Sequence, residues 1–265
     1  VTGCGIKNTK WRVIFNGLGN LNYCPTVEKT EKIQAALENN VLDRVRDYLS
    51  EIGKINADHA LQWAYLSETE SSYAIEGEKP DMSKSERFVR LLEHAHDNTP
   101  LTEDYLCDLQ NQVISNPFDM AFSYRTEQNW LSNGGRGALG VSYVPPSPEC
   151  LEDLMAAFLD MANQLPKQVD PVIAASVTSF GFVFLHPFMD GNGRLSRFLF
   201  HRQLCSSGQL QKGQLLPVSV AMKSSEEKYL NTLEEFSKPS RALWSVMWIA
   251  DHDFDFRFKG SPAIY

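Results

Sequence analysis

From Thr30 onward, apolar side chains recur every three or four residues along most of the chain, which predicts a mainly α fold. The spacing places helices over Glu31 to Ile52, Ala57 to Glu76, Ser83 to His96, Thr102 to Ile114, Pro148 to Leu165, Pro171 to Leu185, Arg194 to Ser206, Ser224 to Phe236 and Arg241 to Asp251. The second carries Leu61, Ala64, Tyr65, Tyr73 and Ala74, and Gly77 and Pro80 stop it at Glu76. The first 30 residues differ: Trp11 to Phe15 are strand-like, while Gly17, Gly19 and Pro25 favour turns, which predicts a small β-rich hairpin appendage. A second hairpin is expected where the glycine-rich turn Asn133 to Gly137 precedes the β-prone run Gly140 to Val144, ended by Pro145 and Pro146. In the tail, Asp253 to Phe258 alternates like a half-buried strand. The expected organisation is an appendage over 1–30, a helical domain over 31–251 and a strand-like tail over 252–265.

Composition narrows the function classes. With 265 residues, 43% of them hydrophobic, the chain can bury a substantial core. The longest apolar run, Pro171 to Leu185, is broken by Ser176, Thr178, Ser179 and Gly181 and falls short of the roughly 20 residues that cross a bilayer, so it reads as a buried helix and no membrane partner is expected. A formal net charge of −8 and no stripe of lysine and arginine argue against nucleic acid as a partner. No charged-then-apolar leader follows Val1, and Cys4, Cys24, Cys107, Cys150 and Cys205 are scattered, so reduced thiols and a cytoplasmic location are expected. His94 and His96 fall on different helix faces, and His59, His201 and His252 have no ligand-like neighbours in sequence, so all five read as surface or packing residues.

Candidate chemistry concentrates between His186 and Arg197. Gly191 and Gly193 flank Asn192 and free the backbone to turn its N–H groups toward one point, and the helical pattern from Arg194 puts that turn at a helix N-terminus, a natural anion cradle. Asp190, just before it, is placed to hold Mg²⁺, which takes few protein carboxylates and completes its shell from substrate phosphates. Arg194 and Arg197 share a helix face and offer two forked donors. His186 is close enough to take a proton from an attacking hydroxyl, with a pKa near working pH. Glu76 is a separate oddity: a carboxylate at a helix C-terminus opposes the dipole by about 0.3–1 kcal/mol and so invites a cationic partner.

The string from His186 to Arg197 resembles, at every defining position, the signature of the Fic family: His, one residue, Phe, one residue, an acid, Gly-Asn-Gly-Arg, two residues, Arg. The resemblance implies a helical core with a β-hairpin flap and transfer of AMP from ATP to a Ser, Thr or Tyr hydroxyl of a protein target. It implies His186 as the base and Asp190 as the Mg²⁺ ligand. The backbone of Gly191 and Gly193, the Asn192 amide, Arg194 and Arg197 would hold phosphates, with Tyr229 beside the adenine. Ser72, Glu76 and Gly77 are similar to the family's inhibitory motif, which implies that Glu76 pairs with Arg197 and restrains the enzyme; in some relatives that glutamate positions a water for AMP removal. The family's flap would correspond to Leu139, Gly140, Val141, Ser142, Tyr143 and Val144 as the dock for a target strand. Transfer of UMP, phosphocholine or phosphate, and a silent nucleotide-binding regulator, stay open as alternatives, as does a homodimer.

Overall fold

The computed structural model describes residues 5–97, 99–114, 116–250 and 253–260. Cys4, His252 and the expected ends of the chain lie outside the described residues, as does part of the strand-like tail. The fold is mainly α, and the strands among the described residues form three two-stranded antiparallel sheets.

The chain opens on a hairpin of β1 (Ile6–Asn8) and β2 (Val13–Phe15), largely exposed. The stretch after it joins the main core: Leu18 is buried there, and Tyr23 meets Phe158 edge-on. The helix expected over Glu31 to Ile52 is two, α1 (Glu31–Glu38) and α2 (Val41–Glu51), because Asn40 takes a left-handed conformation that asparagine tolerates better than most residues. There follow α3 (Lys54–Ile75), α4 (Met82–Glu93) and α5 (Glu103–Val113), the last two capped by Asp81 and Thr102 side chains.

The flap has β3 (Leu131–Ser132) and β4 (Val141–Tyr143), and then come α6 (Pro148–Gln164), α7 (Pro171–Leu185) and α8 (Asn192–Ser206). α7 and α8 form the centre, buried along most of their length among Phe158, Phe182, Phe188, Leu195, Phe198 and Leu199. A short helix not anticipated from the sequence, α9 (Val218–Ser224), packs on α3 and leads into α10 (Glu226–Ala242).

The helix expected over Arg241 to Asp251 is corrected: only its start is helical, as the end of α10, and Trp244–Ala250 is strand β5, paired with β6 (Asp253–Phe258). Trp244, Val246 and Trp248 are opposite Phe258, Phe256 and Phe254, so cross-strand aromatic and β-branched pairs outweigh the helical reading of a run that is apolar at nearly every position. No helix among the described residues is long and apolar enough to cross a membrane.

Candidate active site

The loop between α7 and α8 is bounded by two left-handed residues, His186 (φ 50°) and Gly191 (φ 86°). Glycine adopts this at no steric cost, whereas His186 must be held there. The holding residue is Arg125, from the segment that leads into the flap. Its Nε donates to the His186 carbonyl at 2.9 Å, its backbone N–H to Pro187 O at 2.8 Å, and its guanidinium also reaches the carbonyls of Glu127 and Pro146. Phe188, buried between Tyr124 and Phe182, is fixed by amides on both sides: Asn192 accepts from its N–H at 3.0 Å and donates to its carbonyl at 2.7 Å, and Asn129 donates to the same carbonyl at 3.0 Å. The Asn192 side chain, expected on a phosphate oxygen, shapes the loop here, and it is 2% exposed inside the turn it closes.

His186 Nδ1 lies 3.1 Å from the Val183 carbonyl. Because a carbonyl can only accept, Nδ1 carries the proton and Nε2 keeps its lone pair. Burial pulls the imidazole pKa down to about 4; the Val183 carbonyl opposes this, Arg125 adds to it, and Glu76 and Asp190 act weakly upward. The expectation of a pKa near working pH is therefore corrected: the ring is neutral at pH 7 by a wide margin, because desolvation outweighs the nearby carboxylates.

Asp190 accepts the Gly191 N–H at 2.7 Å and faces Arg194 NH2 at 3.3 Å, with its side chain 43% exposed. Arg194 is buried, donates to Val113 O at 2.7 Å and lies over the Tyr73 ring at 5.3 Å. It thus stands ready in the cleft but already partnered. Among the described residues no group of three or more His, Cys, Asp or Glu could hold a metal alone, so a cation at Asp190 would need oxygens from a ligand.

The seam between α3 and α8 explains the placement of Arg197. The face that α3 buries is mostly polar, Glu68, Thr69 and Ser72 beside Tyr73, so hydrogen bonds must satisfy it. They come once per turn. Glu68 takes His201 Nε2 at 2.7 Å and both the N–H and the hydroxyl of Ser219 on α9, at 2.7 and 2.6 Å. Ser72 accepts from Arg197 Nε at 2.7 Å on its hydroxyl and from NH2 at 2.9 Å on its carbonyl. Glu76 accepts from Arg197 NH2 at 2.9 Å. Positions 68, 72 and 76 descend α3 as 201, 197 and 193 ascend α8, each step one turn or about 6 Å. His201, expected as an unremarkable packing residue, is therefore the buried partner of a carboxylate; Glu68 lies 133 residues away in sequence.

The last rung has a second feature. A Cβ on Gly193 would clash with Glu76 Oε1, so the carboxylate lies directly against the glycine at the start of α8. The charge that opposes the α3 dipole sits instead at the favourable end of α8. Gly77 (φ 71°) makes the turn that aims it: the Gly77 and Glu78 N–H groups close on the carbonyls of Ala74 and Tyr73, and Lys223 donates to Ala74 O at 3.3 Å. Tyr229, on α10, lies near Arg197, and burial pushes its pKa up, with the Arg197 charge opposing.

The flap is the expected hairpin, β3 paired antiparallel with β4. Gly140, Val141, Tyr143 and Val144 are buried, the Val141 carbonyl is taken by Arg241, and Ser142 bonds the Leu131 carbonyl; only Leu139 stands out in solvent. In the run Leu139 to Val144, expected as the dock, the β4 side chains face mostly inward, and the exposed strand of the hairpin is β3. Beside it a groove of about 350 Å³ lies between Tyr143, Val183, Phe184, Leu230, Leu233 and Phe236. The cysteines Cys24, Cys107, Cys150 and Cys205 are free.

Residues 100–204 match the Fic/DOC family model. The chain is similar to the protein adenylyltransferase Fic of Nematostella vectensis, at 27% identity over 205 residues, which cover 65% of this chain and 46% of that relative. It is also similar to the protein adenylyltransferase fic-1 of Caenorhabditis elegans, at 29% identity over 131 residues, 48% of this chain and 24% of that relative. The chain therefore spans less than half the length of these curated relatives. Its fold is shared with a Fic family protein from Desulfovibrio desulfuricans G20, with a TM-score of 0.62 at 19% identity, covering 82% of this chain and 70% of that one. Glu76, Tyr229 and the C-terminal hairpin lie outside the residues of the family match.

Proposed function

We propose that this chain, which carries a Fic/DOC family domain over residues 100–204, transfers AMP from ATP to a hydroxyl side chain of a protein target and is restrained from within by Glu76. The observation that carries the reading is the seat of the Glu76 carboxylate, against Gly193 and on Arg197. The chain fills with its own anion the place where a helix N-terminus and an arginine would receive a phosphate.

In this reading the triphosphate lies along the start of α8, where the backbone N–H groups, Arg194 and a released Arg197 hold it. The base enters the apolar groove, whose aromatic and aliphatic walls suit a nucleobase better than phosphocholine or a bare phosphate. His186 Nε2 takes the proton from the target hydroxyl as its oxygen bonds to the α-phosphorus. The bond from that phosphorus to the bridging oxygen breaks, and pyrophosphate leaves with the electron pair. Arg125, Asn129 and Asn192 keep the imidazole aimed by fixing the loop that bears it. Asp190 fits Mg²⁺ as a half-exposed, hard oxygen donor, and the ion, when bound with the nucleotide, would neutralise charge on the phosphates. The target strand would add to β3, whose outer edge is exposed.

With Glu76 in place Arg197 cannot also clamp an outer phosphate, so the α-phosphorus is not brought in line. Intact-mass measurement of the wild type and the Glu76→Gly variant after incubation with ATP and MgCl₂ tests both parts. An AMP adduct on the variant or on an added cell extract's proteins is expected; its absence sinks the transfer, and equal labelling of the two proteins sinks the restraint.

A further inference from the structure

The chemistry above leaves the C-terminal hairpin without a task, yet its aromatic face lies on the back of the flap. Trp130, just before β3, meets Phe254 edge-on at 5.2 Å and Phe256 at 5.6 Å. Val141, Val144 and Trp244 are the buried centre of this second, smaller core. A flap of two short strands has no independent stability, so its position is set by what backs it.

Arg241, in the last turn of α10, ties the parts together. Its Nε donates to Val141 O at 2.9 Å, NH2 to Ala138 O at 3.2 Å and NH1 to Trp244 O at 3.0 Å. One planar fork thus joins the turn before β4, β4 itself and the first residue of β5, a geometry that a lysine's single nitrogen cannot reproduce. The opposite face of the flap is the groove wall: Ser142 and Tyr143 line it, and the Tyr143 hydroxyl donates to Phe184 O at 2.6 Å, two residues before His186. A shift behind the flap is therefore a shift in the groove.

We infer that Arg241 and the β5–β6 hairpin form a positioning element that holds the flap as one wall of the nucleotide groove and presents the edge of β3. Arg241 touches no reacting atom and acts through the flap. Its capping of the Val141 carbonyl also withdraws that group from pairing with an incoming strand, which leaves β3 for the target. The inference rests on the nucleotide reading of the groove.

Hydrogen exchange on the full chain, followed by labelling kinetics with ATP in the Glu76→Gly background, tests it. In Arg241→Ala, peptides spanning 131–144 should exchange about tenfold faster while peptides spanning 171–206 are unchanged. Arg241→Lys should recover part of the protection, and Phe254→Ala, which loosens the same flap from the hairpin side, should reproduce the Arg241→Ala pattern. The KM for ATP in self-labelling should rise about tenfold with kcat within about twofold. Unchanged flap exchange, a loss spread equally over α7 and α8, or a loosened flap with unchanged KM overturns the inference. A Glu76→Gly protein that never labels removes the transfer reading instead, and the exchange pattern alone then decides whether Arg241 holds the flap.

Discussion

The cleft is held on two sides by seams of opposite character. The α3–α8 seam is a ladder of buried polar rungs, whereas the flap–hairpin seam is an aromatic cluster fastened by one arginine to backbone carbonyls. Burial falls along the ladder: Glu68 is fully buried, and Glu76 is 36% exposed on its side chain while its partner Arg197 is 1% exposed. A buried rung has no competitor, because water and ligand cannot reach it; the outermost rung shares its cation with whatever enters the cleft. Polar contacts graded in this way separate a part that sets position from a part that can be switched. The aromatic seam has no such gradient, so it can hold but has no obvious means of release.

Both seams converge on His186, so removing it is the most severe break. In the Glu76→Gly background, His186→Ala should lower transfer by about 10³–10⁴-fold while ATP binding, followed by calorimetry, stays within about twofold. A large loss of nucleotide affinity would assign the histidine to binding and not to proton transfer. Next in size is the outer rung: Glu76→Gly alone should raise the initial rate of labelling from ATP radiolabelled on its α-phosphate by about a hundredfold, the scale of gaining one well-placed charged donor. Its thermal midpoint should hardly change, since Arg197 keeps both Ser72 bonds.

The inner rung should behave in the opposite way. Glu68→Ala strands His201 and the N–H and hydroxyl of Ser219 in a buried site, at a cost of about 3 kcal/mol, or roughly 6–12 °C in Tm. Calorimetric scanning decides: a midpoint shift as small as that of Glu76→Gly would erase the distinction between the two rungs.

The smallest effect concerns pH. Because the folded pKa of His186 lies below its ordinary 6.5, at about 4, the base stays neutral well into acid. Transfer by Glu76→Gly should be flat from pH 8 to about 5 and fall only below that, with a midpoint no higher than the wild-type pKa, since removing the carboxylate takes away one upward influence. Stability follows the same sign: the contribution of the neutral, half-buried ring is present above pH 6.5 and is lost as pH falls toward 4. A kinetic midpoint near 6.5 would mean that the ring is solvated during turnover.

Much of this was legible in the sequence because it is local. The loop from His186 to Gly193, the helix that follows it, and the stop at Glu76 and Gly77 are each set by residues a few positions apart. The pairing of Glu76 with Arg197 was read from a motif resemblance, and the geometry carries the contact at 2.9 Å. What was not legible is long-range. Glu68 and His201 each sit on an ordinary helical period, and nothing near either announces the other across 133 residues. Arg241 bonds carbonyls, which leave no side-chain signature, and β5 reads as helix from sequence because Trp244 to Ala250 is too uniformly apolar for a period of two to stand out. The inward face of β4 depends on the hairpin behind it, which lies far along the chain and leaves no mark on the flap's own residues. The Asn192 amide suits a phosphate, and nothing near it in sequence shows that the fold also sets it on the Phe188 backbone.

The central claim is that the Glu76 carboxylate stands where a nucleotide's phosphate belongs. Crystal structures of the wild type and of Glu76→Gly, each soaked with ATP and Mg²⁺, test it most directly. The account predicts that in the variant Arg197 contacts an outer phosphate, a phosphate oxygen lies against Gly193, and the α-phosphorus faces His186, while in the wild type Arg197 remains on Glu76. A variant whose phosphates lie away from Gly193, with Arg197 still bonded to Ser72 alone, would contradict it.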